Sequence, residues 1–338
     1  MKFKISLFAL FGICLSNIAV SQDIHFSQIE FAPLAINPAL AGANHSMQGI
    51  VNYRSQWNSV AEPFQTSAAS FDARINKPAK SRNGYLAAGA FFFSDNAGTP
   101  RISTTNVNLN LAYHLVLNKK STFGLGIYGG YGQRAMVSPT GRWATQYDGF
   151  SYDQSVSSGE TFANLSFSYI DAGAGLLYTY GSNSGYISQN KTRKFNVGVA
   201  AYHVNQPNHS FVGDGNEVLP IRFSGFVNAE IGIQNTTSAF MPGVYYQNQG
   251  AASQLFLGSY YKLIFNSGSK YTAYEKPFSF SVGIFGRWQD AFVGKMLLEW
   301  DRYSMGMSYD INTSNLSSVS NFRGGFELFL RYSMLRKG

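Results

Sequence analysis

Large apolar side chains alternate with small or polar ones in segment after segment of this chain. From Phe326 to Tyr332 every second residue is large and apolar, while Glu327 and Arg331 lie between them. Successive residues of a β-strand point to opposite faces of the sheet, so this spacing predicts strands with one apolar and one polar face. A transmembrane β-barrel needs this pattern, because one face of its sheet meets lipid and the other lines the lumen.

About fourteen such segments follow one another between residue 47 and the end of the chain. The predicted strands are Met47–Trp57, Gln65–Ile75, Gly84–Ser94, Ile102–Leu117, Ser121–Ala135, Ser168–Tyr180, Lys194–Val204, Ile221–Gln234, Ala239–Gln247, Ser253–Phe265, Phe278–Trp288, Ala291–Trp300, Tyr303–Ile311 and Gly324–Ser333. An even number of strands is what closure of a single-chain bacterial barrel requires. The predicted fold is therefore all-β, a transmembrane antiparallel β-barrel with an irregular N-terminal strap or plug.

Ionisable residues within these strands occupy the polar positions, so we expect them to face the lumen. A basic side chain on the lipid face near the midplane costs ~2–4 kcal/mol, which makes the opposite arrangement untenable. The candidate luminal polar residues are His114, Arg287, Asp310, Glu327 and Arg331.

The connections give the barrel a direction. With the N-terminus in the periplasm, the long segments Met136–Phe167, Asn205–Pro220 and Asn312–Arg323 lie outside the cell, and tight turns such as Asn118-Lys119-Lys120 lie inside. Long outer loops and short periplasmic turns are typical of bacterial barrels. Aromatic residues are enriched at protein interfaces, so those in the outer loops are candidate partner contacts. They are Trp143, Tyr147, Phe150, Tyr152 and Phe211.

The composition agrees with a barrel and disfavours the alternatives. Charged residues make up 13% of the chain and aromatic residues 16%, and the mean hydropathy is −0.12. Soluble proteins carry about 25% charged residues, and helical membrane proteins are far more apolar. A soluble β-sandwich or propeller also has alternating strands, but its outer face would carry more Lys, Glu and Thr.

Residues 1–21 have the features of a secretory signal peptide. Lys2 and Lys4 precede the apolar run Ile5–Val20, and Ala19-Val20-Ser21 is a small-x-small cleavage site. We therefore expect the mature chain to begin at Gln22. Cys14 is the single cysteine of the sequence, so the mature chain would have no disulfide, no catalytic thiol and no cysteine-ligated metal.

Residues 22–46 lack clean periodicity, and residues 47–338 form the predicted barrel. Prolines at positions 33 and 38 remove backbone donors, so this stretch cannot pair as an ordinary strand. One interpretation is a structural strap that seals the periplasmic mouth. The other is a docking peptide for periplasmic partners, with Pro33, Asn37 and Pro38 as candidate contacts.

No motif in the chain points to catalysis, and we expect no enzyme activity, no cofactor and no metal. The histidines show no HExxH spacing, and His203, His209 and Asp214 fall in a polar outer loop. Gly124-x-Gly126-x-x-Gly129 matches a dinucleotide-binding pattern but lies inside a strand with no following helix, where glycine allows bends and close approach of neighbouring strands in a barrel wall. The basic residues are scattered, which argues against nucleic acid as a partner.

Several short sequences resemble those of a known family. They are Gln22-Asp23-Ile24-His25-Phe26-Ser27-Gln28, Pro33-Leu34, Asn37-Pro38-Ala39-Leu40-Ala41-Gly42, Tyr53-Arg54-Ser55-Gln56-Trp57, Asp95 with Gly98, Tyr202-His203-Val204-Asn205-Gln206-Pro207-Asn208, Ser308-Tyr309-Asp310-Ile311 and Gly325-Phe326-Glu327-Leu328. The chain resembles the PorP/SprF outer-membrane proteins of Bacteroidetes, which are associated with type IX secretion and gliding motility. The family usually has proline where this chain has Ile24.

The resemblance implies an outer-membrane protein without enzymatic activity. It also implies two kinds of partner, the type IX secretion components and a secreted surface protein with a C-terminal sorting domain that the barrel helps to export or attach. The alternative function is a passive outer-membrane channel for small or hydrophobic solutes. A third possibility is an adhesin that acts through its own loops.

Overall fold

The computed structural model describes residues 23–57, 63–76, 83–98, 102–136, 144–153, 155–157, 159, 165–182, 192–211, 217–266, 276–314 and 317–334. Within them the chain forms fourteen strands, as predicted. The strands are β1 (Met47–Gln56), β2 (Phe64–Arg74), β3 (Gly84–Ala97), β4 (Ile102–Val116), β5 (Ser121–Met136), β6 (Ser166–Ser182), β7 (Arg193–Tyr202), β8 (Arg222–Gly232), β9 (Ser238–Gln249), β10 (Ala252–Asn266), β11 (Phe278–Arg287), β12 (Ala291–Trp300), β13 (Tyr303–Asn312) and β14 (Arg323–Met334).

The strands close into one antiparallel barrel in which each strand pairs with its neighbours in sequence. The closing pair, β1 and β14, runs in register from Met47 opposite Met334 to Gln56 opposite Gly325. A closed sheet has no edge whose backbone groups lack partners, which is the condition for crossing a bilayer with strands. The predicted fold class is therefore confirmed.

The outer face of the barrel is apolar and its inner face is mixed. Leu109 and Ile284 point outward and are 66% and 76% exposed, whereas inward-facing Ser308 and Asp310 are buried. Along β13, apolar and polar residues alternate between the two faces over the whole strand. An exposed band of large apolar side chains around a closed barrel is suited to lipid rather than water.

The two ends of the barrel differ. One end carries the tight turns at 117–120, 233–237 and 301–302, the longer connections 75–83, 183–192 and 267–277, and the start of β1 and the end of β14. The opposite end carries the long connections 137–165, 203–221 and 313–322, and the tight turns at 250–251 and 288–290. By the convention of bacterial barrels, the end with the longest connections faces outward, so the end with the start of β1 and the end of β14 faces the periplasm. We call the opposite end the outer mouth.

Residues 23–46, called the plug from here on, pass through the lumen. They form short turns only: 3₁₀ turns at Ile29–Phe31 and Pro38–Leu40 on either side of the four-residue helix α1 (Pro33–Ile36). A second short helix, α2 (Ser317–Ser320), lies before β14. No helix among the described residues has both the length and the apolar character needed to cross a membrane.

The core of the molecule lies between the plug and the inner face of the wall. Plug residues Phe26, Ile29, Phe31, Leu34, Ile36 and Leu40 are all buried. They pack against inward-facing aromatic and aliphatic side chains of the wall, in two clusters, and the Phe31 ring stacks on Phe329 at 3.8 Å. Of the two predicted arrangements, strap and plug, the structure shows the plug.

Candidate functional site: the plug and the outer mouth

The plug is anchored to the wall by a buried network of charges in the outer half of the barrel. The Asp310 carboxylate accepts hydrogen bonds from Arg54 Nη2 at 3.1 Å and from Arg287 Nη2 at 3.1 Å. It also accepts one from the hydroxyl of plug residue Ser27 at 2.7 Å. Arg54 reaches further and donates to the backbone carbonyl of His25. Three strands and the plug therefore share a single carboxylate.

Two further ionic contacts fix the next turn of the plug. The Glu327 carboxylate accepts hydrogen bonds from the backbone N–H groups of Ser27 at 2.7 Å and Gln28 at 3.1 Å. The Lys295 ammonium lies 2.8 Å from the carboxylate of plug residue Glu30 and 3.8 Å from the centre of the Phe285 ring. Removing one partner of a buried ion pair typically costs about 3–5 kcal/mol, so these contacts hold the plug firmly.

The middle of the plug carries the three residues predicted as docking contacts. Pro33 and Pro38 begin α1 and the second 3₁₀ turn, where a missing backbone N–H has no cost. Asn37 donates to the carbonyls of Leu176 at 2.9 Å and Val199 at 3.1 Å. All three residues are buried inside the barrel, so a partner could contact them only after the plug moves.

Close contact at this level requires glycine in the wall. A Cβ at Gly126 would lie 2.3 Å from the backbone nitrogen of Ala39, and one at Gly175 would lie 2.2 Å from the Asn37 side-chain oxygen. The glycines that mimic a dinucleotide motif in the sequence thus include one that lets the plug touch the wall.

The inner end of the plug is held by polar contacts near the periplasmic rim. His114 Nε2 lies 2.8 Å from the carbonyl of Ala41, and Arg74 Nε donates to the carbonyl of Gly42 at 2.7 Å. Arg331 lies over the Phe31 ring at 5.2 Å and donates to Glu299 at 3.2 Å. Arg287 Nη2 also donates to the hydroxyl of Ser27 at 2.9 Å, so each of the five candidate luminal residues contacts the plug.

At the outer mouth, Asp23 meets a histidine held between two carboxylates. His203 Nε2 lies 2.7 Å from Asp23 Oδ2, and its Nδ1 lies 2.9 Å from Asp171 Oδ1. Arg222 Nη1 is 3.2 Å from the same Asp23 oxygen. The name outer latch is used below for Asp23, Asp171, His203 and Arg222.

The outer latch shifts the acid–base behaviour of its histidine. Burial on its own would lower the pKa of His203, but the neighbouring Asp23 and Asp171 carboxylates outweigh it and raise the pKa to about 9. Burial likewise opposes ionisation of Asp23, yet His203 and Arg222 hold the pKa of Asp23 below its usual range. At neutral pH the latch is therefore a charged cluster.

A small cavity of about 60 Å³ lies beside the outer latch. Its lining includes the latch residues together with Asn106, Asn108, Arg134 and Tyr169. Asp23, Arg54, Asp171 and Arg222 were not predicted as site residues from the sequence. Each is a charged residue in or beside an otherwise uncharged stretch, and this isolation is the feature of the sequence that could have identified them as site residues.

The outer loops present aromatic side chains, as far as they are described. Tyr147 and Tyr152 pair across a small hairpin, and the Asp148 carboxylate caps its tip by accepting from the N–H groups of Phe150 and Ser151. Phe150 at the tip is 95% exposed. Phe211 is half-buried, with its ring centre 4.9 Å from that of Phe167. Trp143 and Asp214 lie outside the described residues.

The described part of the chain contains no group of three or more His, Cys, Asp or Glu side chains placed to hold a metal ion. His209, considered from the sequence together with His203, lies against Phe167 and Tyr169, with ring centres 5.3 and 5.5 Å away. A hydrogen bond also links its ring to Arg134. This histidine is part of the packing at the outer mouth.

A family model for the type IX secretion system membrane protein PorP/SprF matches residues 18–332 of the 338-residue chain. The chain belongs to the PorP/SprF family. This PorP/SprF protein is accordingly an outer-membrane β-barrel of a type IX secretion system. The opening sequence block from Gln22 to Trp57, which carried the resemblance, supplies the plug and β1.

Among solved structures, this PorP/SprF barrel is similar to the toluene transporter TbuX of Ralstonia pickettii, with 10% identity and a TM-score of 0.49 over 90% of this chain and 94% of the other. It is also similar to BamA from Haemophilus ducreyi, at 8% identity and a TM-score of 0.46 over 86% and 70% of the two chains. The toluene transporter TodX of P. putida is similar at 8% identity and a TM-score of 0.43, over 89% of this chain and 93% of the other. No curated protein matches the chain.

Proposed function

We propose that this protein is a closed outer-membrane receptor of the type IX system, which binds a cognate secreted surface protein and aids its export or attachment. The observation that carries the proposal is the packed lumen. A solute channel needs a path through the barrel, whereas here the lumen holds a segment whose side chains from Phe26 to Ala41 are mostly buried. A barrel of this kind acts through its two ends.

The outer loops supply the surface for the exported partner. Phe150 is almost fully exposed on a hairpin that its own Asp148 and Tyr152 keep ordered, so presenting it requires little loss of conformational freedom. Exposed aromatic residues of this kind are frequent binding hot spots. Tyr147, Tyr152, Phe211 and Trp143 complete the proposed set, and the partner is a protein with a type IX C-terminal sorting domain.

The periplasmic end, with its short turns, is the surface proposed to face the other secretion components. We assign no catalytic role to the protein. His114 is buried, and its ring is hydrogen-bonded to the backbone carbonyl of plug residue Ala41. Both ring nitrogens of His203 contact carboxylates, those of Asp23 and Asp171.

A complementation experiment tests the receptor function. Deleting the gene should remove one sorting-domain protein from the cell surface while other type IX substrates remain, and the wild-type gene should restore it. The double variant Tyr147→Ala, Phe150→Ala should insert normally but restore little of that protein, since loss of two hot-spot contacts of about 2 kcal/mol each lowers affinity by much more than tenfold.

Phe265→Ala is the matched control, because Phe265 is an exposed aromatic residue at the periplasmic end of β10. It should restore the surface protein fully. Unchanged surface proteins in the deletion strain, together with slow growth on particular nutrients, would instead favour a channel. Surface display that persists in the loop variant while cell attachment is lost would favour an adhesin.

A further inference from the structure

The outer end of the plug lies at the opposite end of the barrel from the start of β1. Asp23 is bonded to His203, which directly follows β7, and to Arg222, which begins β8. Its backbone N–H donates to the side chain of Gln249, the last residue of β9, at 2.9 Å. All three partners belong to the outer mouth, where the long connections are.

The other end of the plug lies at the periplasmic rim. The Ser46 N–H donates to the carbonyl of Met334, and the Ser46 carbonyl accepts from Arg74. Met334 ends β14 and Arg74 ends β2, and both are on the side of the short turns. Residues 23–46 therefore cross the full height of the barrel, as a passage through the lumen in addition to the fourteen strands.

The crossing is fixed along its length. Ser27 and Gln28 are bonded to Glu327, Asn37 to the carbonyls of Leu176 and Val199, and Ala41 to His114. These wall residues belong to four different strands on both sides of the barrel. A segment held in this way does not exchange between one mouth and the other without breaking buried polar contacts.

We propose that the mature N-terminus of this protein lies on the cell surface, held at the outer mouth by the outer latch. The direction of the chain requires this. Met47 enters the wall at the periplasmic rim, and the plug leads back from there through the lumen to Asp23 at the outer mouth. The N-terminus thus belongs to the same surface as the Phe150 hairpin.

The proposal has a consequence for assembly. If the signal peptide remained attached, its apolar run Ile5–Val20 would stand in water beyond the outer mouth, since Asp23 is already there. Signal-peptide removal therefore precedes seating of the plug. The proposal is independent of which protein is exported, because it rests on the course of the chain.

Cysteine labelling tests the proposal directly, because the only cysteine of the chain, Cys14, lies within the predicted signal peptide. Three single variants are compared: Gln22→Cys, the outer control Phe150→Cys, and Lys119→Cys in an exposed turn at the periplasmic end. Cells are treated with a bulky membrane-impermeant maleimide, either intact or after permeabilisation of the outer membrane.

Gln22→Cys should be labelled on intact cells to an extent similar to Phe150→Cys, while Lys119→Cys is labelled only after permeabilisation. Labelling of Gln22→Cys only after permeabilisation overturns the proposal. If Gln22→Cys does not react in either condition, a Gly-Ser-Cys-Gly insertion between Gln22 and Asp23, which keeps Gln22 directly after the predicted cleavage site, gives the decision. The inserted cysteine must then react on intact cells, and its reaction only in permeabilised cells overturns the proposal.

Discussion

At the scale of single residues, Asp310 is a central contact between the plug and the wall, and no local sequence pattern predicts this role. One oxygen of its carboxylate accepts hydrogen bonds from Arg54, Arg287 and Ser27. These partners lie far from it in sequence, apart from Arg287. Sequence reasoning placed Asp310 and Arg287 in the lumen because of strand alternation, but it had no means of identifying Arg54 and Ser27 as their partners.

Asp310→Asn should therefore loosen the plug strongly. The change leaves the buried Arg54 guanidinium without its ion-pair partner and removes one of the two carboxylates that pair with Arg287, and losing one partner of a buried ion pair costs about 3–5 kcal/mol. The unheated protein in detergent should lose its compact gel mobility at a clearly lower temperature than wild type. Asp290→Asn is the matched control, because Asp290 pairs with the same Arg287 but its side chain is 45% exposed, so its effect should stay within about 1 kcal/mol. Equal shifts for the two variants would contradict this assignment.

The outer latch should make the outer end of the plug sensitive to alkaline pH. The pKa of His203 is raised from an ordinary 6.5 to about 9 by its two carboxylate partners, against the opposing effect of burial. A raised pKa means that the charged histidine stabilises the folded state fully below pH 6.5, and that this contribution is lost as the pH rises through 9.

Hydrogen exchange of residues 23–30, corrected for its intrinsic pH dependence, should show weakening protection across that window. His203→Gln lacks the titrating group, so its protection should be lower at pH 6.5 and nearly constant up to pH 9. A wild-type profile as flat as that of the variant would show that the latch does not hold the plug.

At the scale of elements, the strands were predictable and the plug was not. Period-two alternation is a local signal, so strand positions follow from a few neighbouring residues. Two of the ends that differ from the predicted ones have a local cause. β3 continues to Ala97 rather than Ser94 because Asp95 is held across the sheet by Thr66 at 2.6 Å. β7 stops at Tyr202 rather than Val204, since His203 takes a left-handed backbone with φ of 58°.

The contact between the plug and β5 depends on the absence of a side chain at Gly126. Gly126→Ala would force a methyl group into the backbone of Ala39, and overpacking of this kind typically costs about 1–3 kcal/mol. Amide protection of residues 37–41 should fall accordingly in hydrogen-exchange measurements. Gly129→Ala is the control within the same strand, because a Cβ there meets nothing within 4 Å. Comparable losses in both variants would mean that the strand, and not the plug contact, is affected.

At the scale of the whole molecule, the sequence predicted a closed barrel, its direction and an irregular N-terminal segment. It left open whether that segment covers the periplasmic mouth or enters the lumen. The answer depends on contacts such as that between Ser27 and Glu327, which are 300 residues apart. Prolines and turn-forming residues indicate that a segment is not a strand. They do not indicate which surface that segment packs against.

The closed lumen is most directly tested by single-channel recording in planar bilayers, comparing the wild-type barrel with a variant that lacks residues 23–42. The barrel wall is intact in both, so the plug is the one difference between them. The wild type should show almost no conductance, and the deletion variant should form open pores with many-fold larger currents. Large, steady currents through the wild type, equal to those of the deletion variant, would contradict a plugged barrel and support a channel.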